Sequence, residues 1–337
     1  MKKSKKTFDP STLSNISLQW GALILSIFLF MIKILAYWFT QSNAILADGM
    51  EGLVNVLGAG FGLIALYYAK LPFDRNHPYG HGKIEFVSAG FEGVLVLAAG
   101  LAMISKAVYN IIYPIDVEIG ALGISLVAFA GAINFLLGMV LVRRGKASNS
   151  VQLVSSGKHL IADTYTSIGV VIGLILIYLT GLEVLDNIIA IIFGVIVTAT
   201  GWRIVRESFG GILDETDDKI IEDVVDIINK GRQRDWIDLH NLRIVRYGNS
   251  IHIDVHMTLP FYWELSQVHD HADKLEELID KNYISTTDLS VHVEPCSKAS
   301  CSICQIHECT HRMEHFKRKL NWSKYYLVGT EAHKLKT

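Results

Sequence analysis

Apolar residues run almost unbroken through the first two-thirds of the chain and then give way to shorter, alternating patterns. Six stretches, near 16–38, 44–68, 84–108, 118–142, 153–179 and 184–204, each hold the roughly 20 residues that a helix needs to cross the hydrocarbon core of a bilayer. The pattern changes at Asp214-Glu-Thr-Asp-Asp, where Asp217 or Asp218 is placed to cap a helix ending near Lys230. Leu239–Tyr247 reads as a strand, Asn249-Ser250 as a turn, and Ile251–Leu259 as a second strand. In that second strand Ile251, Ile253, Val255 and Met257 point one way and His252, Asp254 and His256 the other. An amphipathic helix follows over about Glu264–Lys281, with Leu265, Val268, Leu275, Leu278 and Ile279 as its apolar positions. A last strand, Asp288–Glu294, puts Ser290, His292 and Glu294 on its polar face. The expected architecture is a six-helix transmembrane domain joined to an αββαβ open-faced α+β domain. The expected boundaries are 1–15 for an N-terminal segment, 16–208 for the membrane domain, 209–295 for the α+β domain and 296–337 for a tail.

Composition sharpens this division. Half of the 337 residues are hydrophobic and only 19% are charged, but ten of the thirteen histidines lie at or beyond His240 and all four cysteines at or beyond Cys296. The formal net charge of −2 says little, whereas its distribution orients the helices. Lys2, Lys3, Lys5 and Lys6 precede the first span; Lys70, Arg75 and Lys83 follow the second; Arg143, Arg144, Lys146 and Lys158 follow the fourth; Arg203 and Arg206 end the sixth. The opposite loops, 40–43, 109–117 and 180–183, carry no Lys or Arg. Basic loops stay on the cytoplasmic side, so both termini are expected there, in an inner-membrane-type bilayer. The apolar run after Trp20 is too long for a signal-peptide core and is expected to remain as the first span. No nucleic-acid partner is expected.

Within the apolar runs stand two polar couples, Glu51 with Asn55 and His159 with Asp163. Each has i, i+4 spacing and so lies on one helix face. Ionisable groups at membrane depth persist where they line a pathway, pair with each other or hold an ion. Two facing couples supply four nitrogen or oxygen ligands, suited to zinc, iron(II), cobalt or manganese. Asp48, three residues before Glu51, is a candidate supporting partner. The plainer reading is a polar cluster that only joins two helices.

Further candidates lie outside the spans. Asp74, His77 and His81 are three good ligand types within eight residues of one loop, with Gly80 and Gly82 permitting a tight backbone. In the α+β domain, His240, His256, His269, His271, His292 and Glu294 make a metal surface conceivable, against the plainer reading of a solvated polar face. The tail carries Cys296, Cys301, Cys304 and Cys309, with His307 and His311 interleaved. Grouped cytosolic thiols favour metal ligation or redox chemistry over structural disulfides. A tetrahedral zinc site, an iron–sulfur cluster and a labile disulfide all remain open there.

Taken together these residues resemble the cation diffusion facilitator family over nearly the whole chain, to about Pro295. Ala44-Ile-Leu-Ala-Asp-Gly-Met-Glu51-Gly-Leu-Val-Asn55 is similar to the family's second-helix motif. His159-Leu-Ile-Ala-Asp163, followed by Ser167 and Gly173, is similar to its fifth-helix motif. His77-Pro-Tyr-Gly-His81-Gly-Lys-Ile-Glu85 is similar to its second-to-third loop. The resemblance implies a zinc site at Asp74, His77 and His81, dimer-interface metal ligands at His240, His256, His292 and Glu294, and an additional ligand at His269. It also implies a homodimer that exports divalent metal from the cytosol against inward proton flow, rather than an enzyme. Glu51 and Asn55 depart from the family, which mostly has His or Asp and then Asp; a neutral Asn leaves metal identity open. Metal ligands must be deprotonated, and an unperturbed imidazole titrates near ~6.5, so protons arriving at His159 would evict the ion. Two rival readings are a membrane-anchored metal sensor without transport and a membrane metalloenzyme of desaturase type. The latter needs several histidine boxes near the membrane, of which only His77/His81 is present before the soluble part.

Overall fold

The computed structural model describes residues 10–40, 43–113, 121–180, 184–248, 250–283 and 286–333; within these, some side chains, including those of Asp48 and Glu51, lie outside the description. The chain forms two compact units, Met1–Leu213 and Asp214–Thr337. The first contains six long helices: α1 (Pro10–Thr40), α2 (Asn43–Ala69), α3 (Ile84–Ile112), α4 (Ala121–Ala147), α5 (Val151–Thr180) and α6 (Val184–Ile212). Among the described residues, Asn15–Leu35, Gly52–Ala69, Ile84–Ile112 and Ser125–Ala147 are long and apolar enough to cross a membrane. The bundle is apolar outside as well as inside: Ile24, Met31, Leu57, Ile64, Leu136, Val195 and Trp202 are exposed. That is the arrangement expected of helices whose solvent is lipid.

The helices outrun the apolar stretches that announce them. α1 begins six residues before the expected span, α4 runs on to Ala147, and α6 continues from 204 to Ile212. Hydropathy marks only the part of a helix that matches hydrocarbon; backbone hydrogen bonding carries the helix into polar surroundings. What stops α6 is Asp214, whose φ of 62° lies in the left-handed region that terminates helices.

Glycines let two helix pairs approach closely. On α4, Gly131, Gly138 and Gly145 recur every seven residues and face α5; a Cβ on Gly138 would come within 2.9 Å of the Gly157 carbonyl oxygen. On α3 and α6, Gly93, Gly100, Gly194 and Gly201 play the same part, and a Cβ on Gly201 would lie 2.5 Å from the Leu97 nitrogen. Small residues at such seams bring backbones together where no hydrophobic force between helices exists. α5 is thereby packed against α2, α3, α4 and α6.

The second unit is the expected αββαβ order with additions. It comprises α7 (Asp218–Gly231), β1 (Asp238–Tyr247), β2 (Ser250–Leu259), α8 (Leu265–Asn282) and β3 (Thr286–Pro295). Asp217 caps α7 by accepting from the Lys219 amide at 2.9 Å. The sheet order is β1-β2-β3, with β1 antiparallel and β3 parallel to β2. Ile253, Val255 and Met257 on one face pack against Val224 and Ile228 of α7 and Leu275 and Ile279 of α8.

The tail holds a 3₁₀ turn at Lys298–Ser302 and a short helix, α9 (Lys324–Val328). It packs onto the same core through Ile303, Cys304, Leu320, Trp322 and Leu327. Asn229 donates to the Trp322 carbonyl at 2.7 Å, and Arg232 stacks on the Trp322 ring while donating to the Leu320 carbonyl at 2.6 Å. Burial pushes the Arg232 guanidinium down to about 10.

Candidate metal centres

The first centre lies inside the helix bundle. α5 presents a buried polar stripe, Gln152, Ser155, Ser156, His159, Asp163, Thr166 and Ser167, each at most 5% exposed. These positions follow the i, i+3/i+4 rule and so share one face. Asn55 of α2 lies between the two α5 ligand candidates: its amide nitrogen donates to Asp163 Oδ2, and its Oδ1 is 2.5 Å from His159 Nε2. An ionised carboxylate only accepts, so Asp163 fixes the amide orientation, and Asn55 Oδ1 then requires a proton on His159 Nε2. His159 Nε2 is 3.6 Å from Asp163 Oδ1, and its Nδ1 is buried without a hydrogen-bond partner among the described residues. Three of the four expected residues thus converge. Glu51 lies one helical turn before Asn55 on α2, and its side chain, like that of Asp48, is outside the described residues.

Sequence reasoning passed over the layer next to this cluster. Glu92 of α3, 3% exposed, accepts from Gln152 Nε2 and Ser156 Oγ, both at 3.1 Å. Gln19 of α1 donates to the Ala59 carbonyl and to Ser156. The amides of Gln19 and Gln152 fill the space over Gly62, where a Cβ would collide with both. Nearer the start of α5, Glu85 accepts from Ser150 Oγ at 2.7 Å and from the Gln152 amide at 3.2 Å. A carboxylate at a helix N-terminus satisfies orphan amides and complements the helix dipole. Lys33 of α1 is also buried, its stem beside Gly52. The available signal was a charge inside an apolar run, at Glu92 and Lys33 alike.

The second centre is the loop between α2 and α3. Asp74 Oδ1 accepts from the backbone amides of Asn76 and His77 at 2.9 and 2.7 Å and lies 3.1 Å from His77 Nδ1. His81 Nε2 stands 3.6 Å from Asp74 Oδ2, and the two imidazoles are 4.3 Å apart. Gly80 has φ 89°, a conformation that turns the chain back and brings His81 under Asp74. The His77 amide holds the Asp74 carboxyl below its usual range. Among the described residues these three donors all lie within 4.8 Å of one another.

The third centre follows from strand register. His240 of β1 pairs with His256 of β2, His256 pairs with His292 of β3, and Glu294 sits opposite Thr258 two residues on. Cross-strand partners share a face, so the polar face collects imidazoles in a row. His256 Nδ1 is 2.9 Å from Glu294 Oε1 and His240 Nε2 is 3.5 Å from Glu294 Oε2, a second group within 4.8 Å. His292 stacks on His256 at 4.6 Å. His269 lies elsewhere, exposed on α8 and 3.7 Å from Asp273. His271 packs on Trp263 at 4.7 Å.

Two features of this face were not foreseen. His252 is bracketed by Asp254 at 3.2 Å and Asp288 at 3.0 Å. The tail also returns to β1, where Asn241 donates to the Gly329 carbonyl, and His333 bonds Asp238 through its amide and Nδ1, both at 2.8 Å. Asp238 is 3.6 Å from His240 Nδ1. Burial pushes the Asp238 carboxyl up, but the imidazoles of His240 and His333 pull it down further, leaving it below its ordinary range.

The four tail cysteines are free and line one cavity of about 260 Å³, with Tyr262 and His311 on the same wall. Burial pushes the Cys296 and Cys304 thiols up. Burial, and then the hydrogen bond to Cys309, push the Tyr262 phenol up to about 12.

Helix bundle and sheet domain together match known families. A family model described as the cation efflux transmembrane domain covers residues 20–213, and one described as the cation efflux protein cytoplasmic domain covers 216–296. The chain belongs to the cation diffusion facilitator family of cation efflux transporters and is a membrane protein. It is 32% identical over 264 residues to the uncharacterized transporter sll1263 of Synechocystis sp., covering 78% of this chain and 85% of that protein. It is 26% identical over 276 residues to the cation-efflux pump FieF of Salmonella paratyphi A and of Salmonella agona, covering 80% of this chain and 89% of each. Both family models end at or before Cys296, so the tail that follows lies outside them.

Proposed function

We propose that this protein exports a divalent transition metal from the cytosol in exchange for protons, as a homodimer with six transmembrane helices and both termini cytoplasmic. The observation that carries this reading is the buried convergence of Asn55, His159 and Asp163 from two helices of an otherwise apolar bundle. Metal and proton compete there for the same atoms. His159 Nδ1 is the imidazole nitrogen left free by the hydrogen-bond chain, and Asp163 supplies the anionic oxygen. In the near-neutral cytosol both are available to an ion; when the site opens to a more acidic side, protons take them and the ion leaves. Rocking of helix groups about this level provides alternating access. The loop group at Asp74, His77 and His81 and the sheet group at His240, His256 and Glu294 are regulatory ligands in this scheme. Metal on the sheet domains draws the two copies together and biases the rocking.

Asn55 brings no charge, so the site is less anionic than one with another carboxylate. Zinc, iron(II), manganese and cobalt all suit the donor set. The test is metal flux into proteoliposomes under a pH gradient, with those four ions and cadmium. Asp163→Ala should reduce flux to the level of empty vesicles, and Asn55→Asp should change the order of preferred ions. Flux that ignores the pH gradient, or survives Asp163→Ala, would remove this reading and leave a metal sensor in its place.

A further inference from the structure

The segment 297–323 is packed in a way its own secondary structure does not explain. Its regular element is one 3₁₀ turn, yet it buries Ile303 and Trp322 to 1% exposure and Cys304 to 6%. Long irregular loops inside a compact unit are uncommon and need something else to hold them. Part of the answer is Arg312, whose guanidinium donates to four backbone carbonyls: Cys301 at 2.9 Å, Cys304 at 3.1 Å, Ile306 at 2.7 Å and Glu314 at 3.4 Å. Those bonds curl the chain so that the cysteines on either side turn toward a common space. Cys296 enters that space from the end of β3, where its amide bonds the Leu259 carbonyl at 2.8 Å. All four thiols line the one cavity, and the Tyr262 hydroxyl bonds Cys309 at its edge.

We propose that Cys296, Cys301, Cys304 and Cys309 hold a resident zinc ion that fastens the tail to the α+β domain. Four thiolates from a short, irregular stretch are the donor set of structural zinc, which is tetrahedral and bonds sulfur at about 2.3 Å. The cavity is roomy enough for one ion. Among the described residues the thiols do not form a group with all ligand atoms within 4.8 Å, so binding draws them inward around the ion. Binding releases the thiol protons and contributes directly to folding of the segment. Trp322 and Leu327 then seat on the core, and the far end of the tail reaches Asp238 through His333. This proposal stands apart from the transport reading, because it concerns a resident ion rather than the cargo.

The test uses the full chain in detergent, reduced and loaded with cobalt(II). Thiolate-bound tetrahedral cobalt gives an intense near-ultraviolet charge-transfer band that the imidazole and carboxylate groups elsewhere in the chain do not give. The band's intensity should level off at the value of one thiolate-bound cobalt per chain, vanish under excess zinc, and persist in Asp163→Ala, which separates it from the transport site. Cys301→Ser and Cys309→Ser should each weaken it, while competition by zinc in the parent chain reads the same site without any substitution. Absence of the band in fully reduced protein would overturn the proposal. So would a band of undiminished intensity and affinity in both serine variants, or a coloured chromophore with acid-labile sulfide.

Discussion

Asn55 is the residue on which the bundle's chemistry turns. It bridges His159 and Asp163 by accepting from the first and donating to the second, which a side-chain amide can do and an ionised carboxylate, an acceptor only, cannot. The i, i+4 spacing made these residues legible in the sequence, because a helix places such pairs on one face. The role of Glu92 was not legible, since no ionisable residue stands four positions from it in its own helix and its partners come from α5, 60 or more residues away. Replacing it with Leu would take the acceptor from the Ser156 hydroxyl proton and one of its two acceptors from Gln152 Nε2 in the core. Glu92→Leu should lower stability by about 1–3 kcal/mol, read as thermal unfolding in detergent, with Glu92→Gln milder. A Leu variant as stable as the parent would show that the layer is not structural. The Asp238–His333 pair was invisible for the same reason, its members being 95 positions apart. Groups that hold a ligand's outer partner typically change affinity about 10–100-fold. His333→Ala should therefore weaken zinc binding at the His240 group by a factor in that range in calorimetric titrations of the full chain.

Helices and strands differ in how openly their sequences declare the site. In β2 the alternation of Ile251, Ile253, Val255 and Met257 with His252, Asp254 and His256 gave both the strand and its polar face, and the register then aligned His240, His256 and His292. His269 belongs to α8, whose exposed flank is not continuous with that face, so its side chain pairs with Asp273 instead. In the bundle, hydropathy located the helices but not their packing. That is set by glycines seven apart, which read as mere absences of side chain. At Gly138 the neighbour is the Gly157 carbonyl, which cannot swing aside. Gly138→Val should cost about 1–3 kcal/mol through overpacking and should lower the midpoint of detergent-induced unfolding. An unchanged midpoint would mean that α4 and α5 can separate freely.

For the whole molecule, the two units offer candidate metal ligands on different scaffolds. In the proposed scheme the buried helix faces hold the pathway, whereas the sheet face, with His256 and Glu294 part-exposed beside buried His240, holds the regulatory group. If the sheet group regulates transport, His256→Ala with His292→Ala should flatten the stimulation of flux by added zinc. A dose–response curve identical to the parent's would exclude regulation from that face. The tail begins two residues after Glu294 at one strand end and closes on Asp238 beside His240 at another. It is a strap with both ends anchored at the same cluster. Limited proteolysis inherits that geometry: a single cut within the strap would release one of its two moorings and loosen the imidazole cluster with it.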